Sequence, residues 1–406
     1  MRKHQIPVFI GITLFLVVDI FMFVGIENLP LDVEMSMASY EPKQECDNLL
    51  SHWNAANVHQ MSSIECAKIQ SICNFSCEST VDVVITWVNG SDPNWISTKQ
   101  TVSEKWQNKM GESQQNSNAN RRFRDFLQLR TAFRSIELNA PWVRRVFLVT
   151  DNQTPSFLQT NNSRLRMVSH SDLYKYMKLE QQDPLYNSIA IQSMIHKIPT
   201  ISSPFLLLDD DSFFVNPTPL EYYFNVETSK AKVVFEKVNW GIFWSPAMDL
   251  GQEIKGKEFV DNFMNTFVSS GGQWVREREH GPFMMYPEIG DLIWKAIPER
   301  MRTISTNSFR MNGDPSIQYL YSLIGYPKYY DVYTAGGDNP NTVSQLLFMM
   351  YFGYNEQEIF DDHLPTTKKY VVCVNDDVDY DMTDEQTQHI ISRFEQIIPQ
   401  KSTFEI

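Results

Sequence analysis

The segment Leu206-Leu207-Leu208-Asp209-Asp210-Asp211-Ser212-Phe213-Phe214 constrains this chain more than any other. An apolar strand runs straight into three carboxylates, and an aromatic pair follows at once, pulling the acidic cluster toward the interior. Like charges crowded there raise one another's pKa unless a cation is present. Oxygen ligands at a strand end, with positions left open for phosphate oxygens, suit Mg²⁺. The competing reading is a solvated acidic turn or helix cap. Cys373-Val374-Asn375-Asp376-Asp377 repeats the pattern after a second apolar strand, and there too an ordinary acidic turn competes. Its continuation, Asp377-Val378-Asp379-Tyr380-Asp381, is not a calcium loop, because the sixth position lacks glycine and the twelfth lacks glutamate.

A third junction runs from Asp82 to Trp95. Val83, Val84 and Ile85 suit the interior of a parallel sheet. Asn89-Gly90-Ser91-Asp92-Pro93 then stops the strand with turn formers that offer side-chain oxygens. In open α/β sheets, ligands sit beyond the carboxyl ends of strands, where this loop falls. Further strand signals occur at Val81–Val88, Val143–Thr150, Pro204–Leu208, Val233–Phe235 and Tyr370–Val374. Between the first two, Arg124–Asn139 has helical periodicity, with Phe126, Leu129, Phe133 and Ile136 on one face. Helices are also expected over Ser188–Lys197, over Glu288–Ala296 and from a capping box at Thr383-x-x-Gln386 through Ile398. Residues 96–122, rich in Gln, Asn and Ser, read as an exposed loop, and the segment from about 236 to 300 has no clear assignment. Strands alternating with helices predict an α/β fold with a doubly wound, mainly parallel sheet.

The N-terminus reads differently. Ile6 to Ile26 is a mostly apolar run preceded by Arg2, Lys3 and His4, long enough to span a bilayer with a cytoplasmic N-terminus. Asp19 interrupts it, at a cost on the order of 3 kcal/mol near a helix centre and less toward an end. A cleaved signal peptide competes, but the run is long and no small-x-small site precedes Glu27-Asn28-Leu29-Pro30. The expected layout is a cytoplasmic tail over 1–5, a signal anchor over 6–26, a lumenal stem over 27–80 and a catalytic domain over 81–406. Cys46, Cys66, Cys73 and Cys77 crowd the stem and read as two disulfides with three possible pairings. A zinc site fits their spacing poorly, with no histidine nearby. Glycosylation acceptors Asn74, Asn152 and Asn161 agree with a lumenal domain. Asn89 also heads an acceptor triplet and would stay unmodified if it lines a site. The layout predicts a single-pass type II protein of the secretory pathway, placed in the Golgi.

With 49 acidic against 35 basic residues, net charge −14, the surface repels nucleic acid. A small phosphorylated ligand remains compatible if a metal ion or a few arginines hold it. His280-Gly281-Pro282 offers a histidine in a sharp turn, which is more often structural than chemical. Arg310 sits between Phe309 and the turn at Asn312-Gly313, and its planar fork suits phosphate. Arg130 and Arg134 share a helix face that is otherwise a plain solvated one. Asn187-Ser188 opens a helix and either presents N–H groups to an anion or is a plain N-cap.

Taken in order, these segments resemble the Stealth family, sugar-phosphate transferases typified by bacterial capsule polymerases and the lysosomal-enzyme N-acetylglucosamine-1-phosphotransferase. Its first block resembles Asp82–Trp95. The second resembles Arg122-Phe123-Arg124-Asp125 through Leu129-Arg130, Arg134-Ser135-Ile136 and Ala140-Pro141-Trp142 to Val149-Thr150-Asp151 and Pro155. It continues through Asn187-Ser188-Ile189-Ala190 and His196-Lys197-Ile198-Pro199 to Asp209–Phe214. The third resembles His280-Gly281-Pro282 and Phe309-Arg310 with Asp314, and the fourth Val374-Asn375-Asp376-Asp377. Asp209 stands where the family usually has asparagine, Ser212 where it often has an apolar residue, and the large insertions of the animal lysosomal enzyme are absent.

The resemblance implies a nucleotide-sugar-transferase-like fold. It also implies transfer of a sugar 1-phosphate from a nucleotide sugar, typically a UDP-hexose such as UDP-GlcNAc, to a hydroxyl of an acceptor glycan or glycoprotein, with release of the nucleoside monophosphate. On that basis Asp210, Asp211 and Asp376 are expected to hold Mg²⁺ (or Mn²⁺), Arg310 to grip phosphate, and His280 to act as general acid/base or phosphate donor. Trp87, Val88, Asn89, Gly90, Ser91 and Asp92 would receive the nucleotide, with Arg130, Arg134, Asn187 and Ser188 as further substrate contacts. A metal-dependent glycosyltransferase releasing UDP, or a non-catalytic lumenal lectin or scaffold, are the alternatives.

Overall fold

The computed structural model describes residues 42–51, 69, 73, 80–107, 120–225, 227–238, 246–270, 274–278, 281–334, 346–350, 358–376 and 382–406. Residues 6–26 lie outside that set. Among the described residues no helix is long and apolar enough to cross a membrane.

The core is a five-stranded sheet built on β1 (Val81–Thr86), β2 (Val143–Thr150), β3 (Leu165–Ser169) and β4 (Phe205–Asp209), all parallel. The strand Phe283–Met285 closes one edge antiparallel to β4. The spatial order runs from that strand through β4, β1 and β2 to β3. The chain thus winds outward from β1 to β3, then crosses back to lay β4 on the other side of β1. Such a reversal opens a crevice at the carboxyl ends of the two strands that flank it. Here those ends are Thr86 and Asp209, which are paired in register.

β1, β2 and β4 form continuous buried runs because both faces of the sheet are covered. Helix α3 (Gln128–Asn139) covers one face and buries Leu129, Phe133 and Ile136. Phe126, expected on that face, is buried just before the helix begins. A short strand, β5 (Ser212–Phe214), leaves the acidic turn and joins a separate three-stranded sheet with Val371–Asn375 and Leu346–Met350. The apolar strand before Asn375 therefore belongs to this small sheet and not to the central one. The segment left unassigned contributes to a further sheet, in which Trp274–Arg278 pairs with Lys230–Val238.

Helix α1 (Pro42–Leu50), in the expected stem, is fastened to the body. Asp47 pairs with Arg145 at 2.5 Å and Arg166 at 2.7 Å. Of the three possible pairings, the structure shows Cys46 bonded to Cys73, with Cα atoms 5.3 Å apart. Cys66 and Cys77 lie outside the described residues, as does Asn74. The expected loop over 96–122 is replaced at its start by helix α2 (Pro93–Trp106). Asp92 caps it through Asn94 N–H at 2.9 Å, and Pro93 occupies its first turn, so a capping signal outweighed the polar composition. The helix expected over Ser188–Lys197 is divided into α5 (Ser188–Gln192) and a 3₁₀ turn at Ile195–Lys197. The capping box at Thr383 opens the helix Asp384–Ile397.

Two charge networks lock this frame. Asp82, fully buried on β1, accepts from Arg144 at 2.6 Å and Arg145 at 2.9 Å on β2. Burial alone would raise its pKa, but the two guanidiniums hold it far below the usual carboxylate range. Near the C-terminus, Glu405 accepts from Arg134 at 2.7 Å and Arg130 at 2.7 Å, and Glu395 takes Arg130 at 3.0 Å. Arg130 and Arg134, expected as substrate contacts, thus clasp the C-terminal segment. Their shared face points inward, and Arg134 is only 6% exposed.

Replacing Asp82 with alanine removes the carboxylate that two buried guanidiniums share, leaving Arg145 to Asp47. Denaturant unfolding is expected to show a loss of about 3–5 kcal/mol. Since the carboxylate's folded pKa is depressed, its contribution is complete above the ordinary carboxylate range. It fades as pH falls below that range, so the gap between wild type and variant narrows in acid.

Candidate active site

A cavity of about 560 Å³ opens at the crevice between β1 and β4. Its floor is the acidic turn, with Asp209, Asp210 and Asp211 each part-exposed to it. Burial pushes the Asp210 carboxyl well above the ordinary range, and the charges of Asp211, Asp125 and Asp209 push it further. Asp211 is raised to about 7, first by burial and then by Asp209. The Cys373 thiol donates to Asp211 Oδ1 at 3.5 Å and Ser212 Oγ does so at 3.4 Å, so two weak donors offset little of that cost. Cys373, the isolated cysteine, is buried and free, and burial together with the Asp211 charge drives its thiol pKa up.

The second acidic loop reaches the same cavity. Val374 N–H donates to Asp211 C=O at 2.9 Å, which ties the two segments together, and Asn375 and Asp376 line the wall beside Asp210. Asp376 is not free to act alone. Arg124 Nε and Nη2 grip its two oxygens at 2.6 and 2.9 Å, a paired guanidinium–carboxylate contact. The expected metal set therefore divides into Asp210 and Asp211 on the open floor and Asp376 held by an arginine. Among the described residues no three His, Cys, Asp or Glu side chains are gathered as a metal-binding group. Two strained carboxylates with oxygen donors only still suit Mg²⁺, which keeps several waters and shares its remaining positions with substrate phosphates.

Arg310 shares the cavity with the acids. It lines the cavity and donates to Ser188 Oγ at 2.7 Å. Burial lowers its pKa, and the positive charge of Arg122 across the cavity adds to the effect. Asn187 takes no place in the cavity. It is fully buried, caps α5 by accepting Ile189 N–H at 3.0 Å, and donates to Asn307 and Phe309 carbonyls and to Asp314. Its work is to fix the turn that carries Arg310, while Ser188 lines the cavity.

Of the loop expected to receive a nucleotide, only Trp87 and Val88 line the cavity. Trp87 Nε1 donates to the buried Asp125 at 2.9 Å. Asn89 instead exchanges hydrogen bonds with Gln153, its N–H donating to Oε1 at 2.7 Å. Ser91 N–H closes a turn onto Asn89 Oδ1, and Asp92 caps α2. Gly90 matters for space, since a Cβ there would lie 2.0 Å from the Phe123 carbonyl oxygen. Asn89 to Asp92 thus do not line the cavity and instead form a turn packed against the Arg122–Arg124 segment. Asn152 and Asn161 are exposed, and His280 lies outside the described residues.

Several cavity residues had been quoted only as family blocks or not at all: Arg122, Phe123, Trp95, His170, Tyr186 and Gln192. His170 begins helix α4 (His170–Met177) immediately after β3, at a third strand end. The preceding strand, Leu165–Ser169, is short and lacks clean alternation, so the sequence carries little signal for this position.

Residues 80–105 match the family model for Stealth protein conserved region 1, and residues 122–232 match conserved region 2. A capsular polysaccharide phosphotransferase, WcwK of Streptococcus pneumoniae, is 26% identical, covering 80% of this chain and 99% of that protein. The receptor polysaccharide phosphotransferase WefC of Streptococcus oralis is 25% identical over the same shares. An exopolysaccharide phosphotransferase of Streptomyces coelicolor is 37% identical over 147 residues, 36% of this chain and 15% of that one.

Two results are expected from the acidic floor and from Gly90. Because Asp210 and Asp211 hold their protons longer in the folded chain, stability without a divalent ion falls as pH rises from the carboxylate range toward about 7. Added Mg²⁺ should raise the thermal midpoint more at pH 8 than at pH 6, and Asp211→Asn should abolish most of that rise. Gly90→Ala should displace the Phe123 segment and cut turnover by at least about tenfold while far-UV circular dichroism stays unchanged.

Proposed function

The chain belongs to the Stealth family of phosphotransferases, and from that premise we propose that it transfers a sugar 1-phosphate from a nucleotide sugar to a hydroxyl of an acceptor glycan. The donor proposed is a UDP-hexose such as UDP-GlcNAc. The observation that carries this reading is the meeting of two acidic strand ends and Arg310, from segments far apart in the chain, in one cavity at the switch point of the sheet.

The acceptor oxygen attacks the β-phosphorus of the donor and forms a new P–O bond. The pyrophosphate bridge then breaks, its electron pair leaving on the nucleoside monophosphate, and the acceptor hydroxyl gives up its proton to a base. Such a reaction needs positioning of two substrates and neutralisation of charge on phosphoryl oxygens more than it needs covalent chemistry. Asp210 and Asp211 would hold Mg²⁺ or Mn²⁺, which when bound supplies charge neutralisation at the diphosphate. Arg310, kept in place by Ser188 and by the turn that Asn187 and Asp314 fix, donates to phosphoryl oxygens as their charge grows. Asp376 pairs with Arg124, next in the chain to the cavity-lining Arg122 and Phe123. His280 takes the acceptor proton in this proposal, since its ordinary pKa lies near working pH. The type II anchor over 6–26 and residence in the Golgi belong to the same proposal.

Product analysis tests it. With UDP-GlcNAc, Mg²⁺ and a glycan acceptor, UMP should accumulate and phosphorus should remain in the glycan product. Release of UDP with a phosphorus-free product would make the protein a glycosyltransferase. Sugar binding with no donor turnover would make it a lectin. Arg310→Lys is expected to lower turnover about 10²-fold or more with the fold intact.

A further inference from the structure

The cavity has a second, aromatic end whose polar atoms have no use in the chemistry above. Trp95, His170 and Tyr186 all line it. Their polar atoms, Trp95 Nε1, His170 Nδ1 and Tyr186 Oη, are buried, closed to water and without a hydrogen-bond partner among the described residues. They come from three separate elements: Trp95 from α2, His170 from the start of α4, Tyr186 from the segment leading to α5.

One carboxylate lies near all three. Asp151, the first residue after β2, has its Oδ1 3.7 Å from His170 Nδ1, just beyond hydrogen-bond reach. The Trp95 indole also acts on it, though burial dominates and leaves its pKa raised, and Tyr186 is held up first by burial and then by the Asp151 charge. Burial keeps His170 neutral, with a pKa lowered to about 4. Tyr186 and Trp95 therefore remain donors, and neutral His170 has a single proton to give. Three buried polar atoms near one carboxylate, none completing a hydrogen bond and His170 Nδ1 stopping 3.7 Å short, is an arrangement native proteins seldom leave in place.

Ring packing holds the donors off. Trp95 lies 5.1 Å from Phe123 and 5.2 Å from Tyr186, and Tyr186 stacks on Phe309 at 5.2 Å. Phe309 adjoins Arg310, and Phe123 lies between Arg122 and Arg124, so this wall is continuous with the phosphate end of the cavity.

We propose that Asp151 is the positioning residue of the donor-binding wall: a nucleotide seated against Trp95 and Tyr186 presses their polar atoms, with His170, onto its carboxylate. The inference rests on the nucleotide-sugar reading. Donor binding then gains the hydrogen bonds that the empty cavity lacks, and a sugar phosphate without a flat base gains none of them. Neither Asp151 nor His170 touches the reacting phosphorus.

The test uses the full chain, with uridine monophosphate as binding probe and inorganic pyrophosphate as the probe without a base. Asp151→Asn should weaken uridine monophosphate about tenfold and leave pyrophosphate unchanged, and the KM for the nucleotide sugar should rise about tenfold more than kcat falls. His170→Gln, which keeps a donor, should recover more of the affinity than His170→Leu. If Asp151→Asn fails to fold, Trp95→Phe and Tyr186→Phe each remove the polar atom while keeping an aromatic ring, and each should raise the donor KM without touching pyrophosphate. A folded Asp151→Asn, or the pair of phenylalanine variants, with wild-type uridine monophosphate affinity and KM would overturn the inference alone. A wild type that neither binds uridine monophosphate nor consumes any nucleotide sugar would overturn the functional reading and this inference together.

Discussion

Repulsion among carboxylates at the end of β4 is the constraint on which the cavity depends. Nothing in folding favours placing Asp209, Asp210 and Asp211 together at the base of a crevice, where burial and mutual charge drive Asp210 and Asp211 toward the protonated state. The frame tolerates this because it is rigid elsewhere. Asp82 neutralises Arg144 and Arg145 inside the sheet, and Glu405 clasps Arg130 and Arg134 from the C-terminal side. Buried charge is thus paired in the scaffold and left in excess where a ligand enters. That division is a common mark of a site built to bind something positive or to hold a proton.

The topology explains why this excess lands where it does. Winding from β1 out to β3 and back to β4 leaves the crevice between Thr86 and Asp209, and the loops that follow these strand ends open onto it. Val371–Asn375 belongs to another sheet, yet its pairing with β5 carries Asp376 to the same place, because β5 begins where the acidic turn ends. Two sheets therefore share one acidic junction. Asp376 arrives already paired with Arg124.

The buried parallel strands were legible in the sequence as β-branched and leucine runs, and the acidic strand ends were legible because carboxylates seldom follow such runs without a purpose. What could not be read was direction. Arg130 and Arg134 were one turn apart on a helix, but only their partners Glu405, Glu395 and the Ile398 carbonyl, more than 260 residues on, show that they face inward. Asn89 to Asp92 carried turn and capping chemistry that the structure uses for α2 and Gln153, not for a ligand. Trp95, His170 and Tyr186 were hidden for the opposite reason. Each is an ordinary buried side chain by local pattern, and their common target, Asp151, appears only when three strand ends are brought side by side.

The account stands or falls on a cation at Asp210 and Asp211 lying against a diphosphate. The most direct measurement is a crystal structure with Mn²⁺ and a nucleotide sugar, read by the anomalous signal of the metal. The account predicts one peak within bonding distance of both carboxylates, with the diphosphate between it and Arg310. A nucleotide sugar bound in the cavity with no metal density at Asp210 or Asp211, or bound elsewhere on the protein, would contradict it.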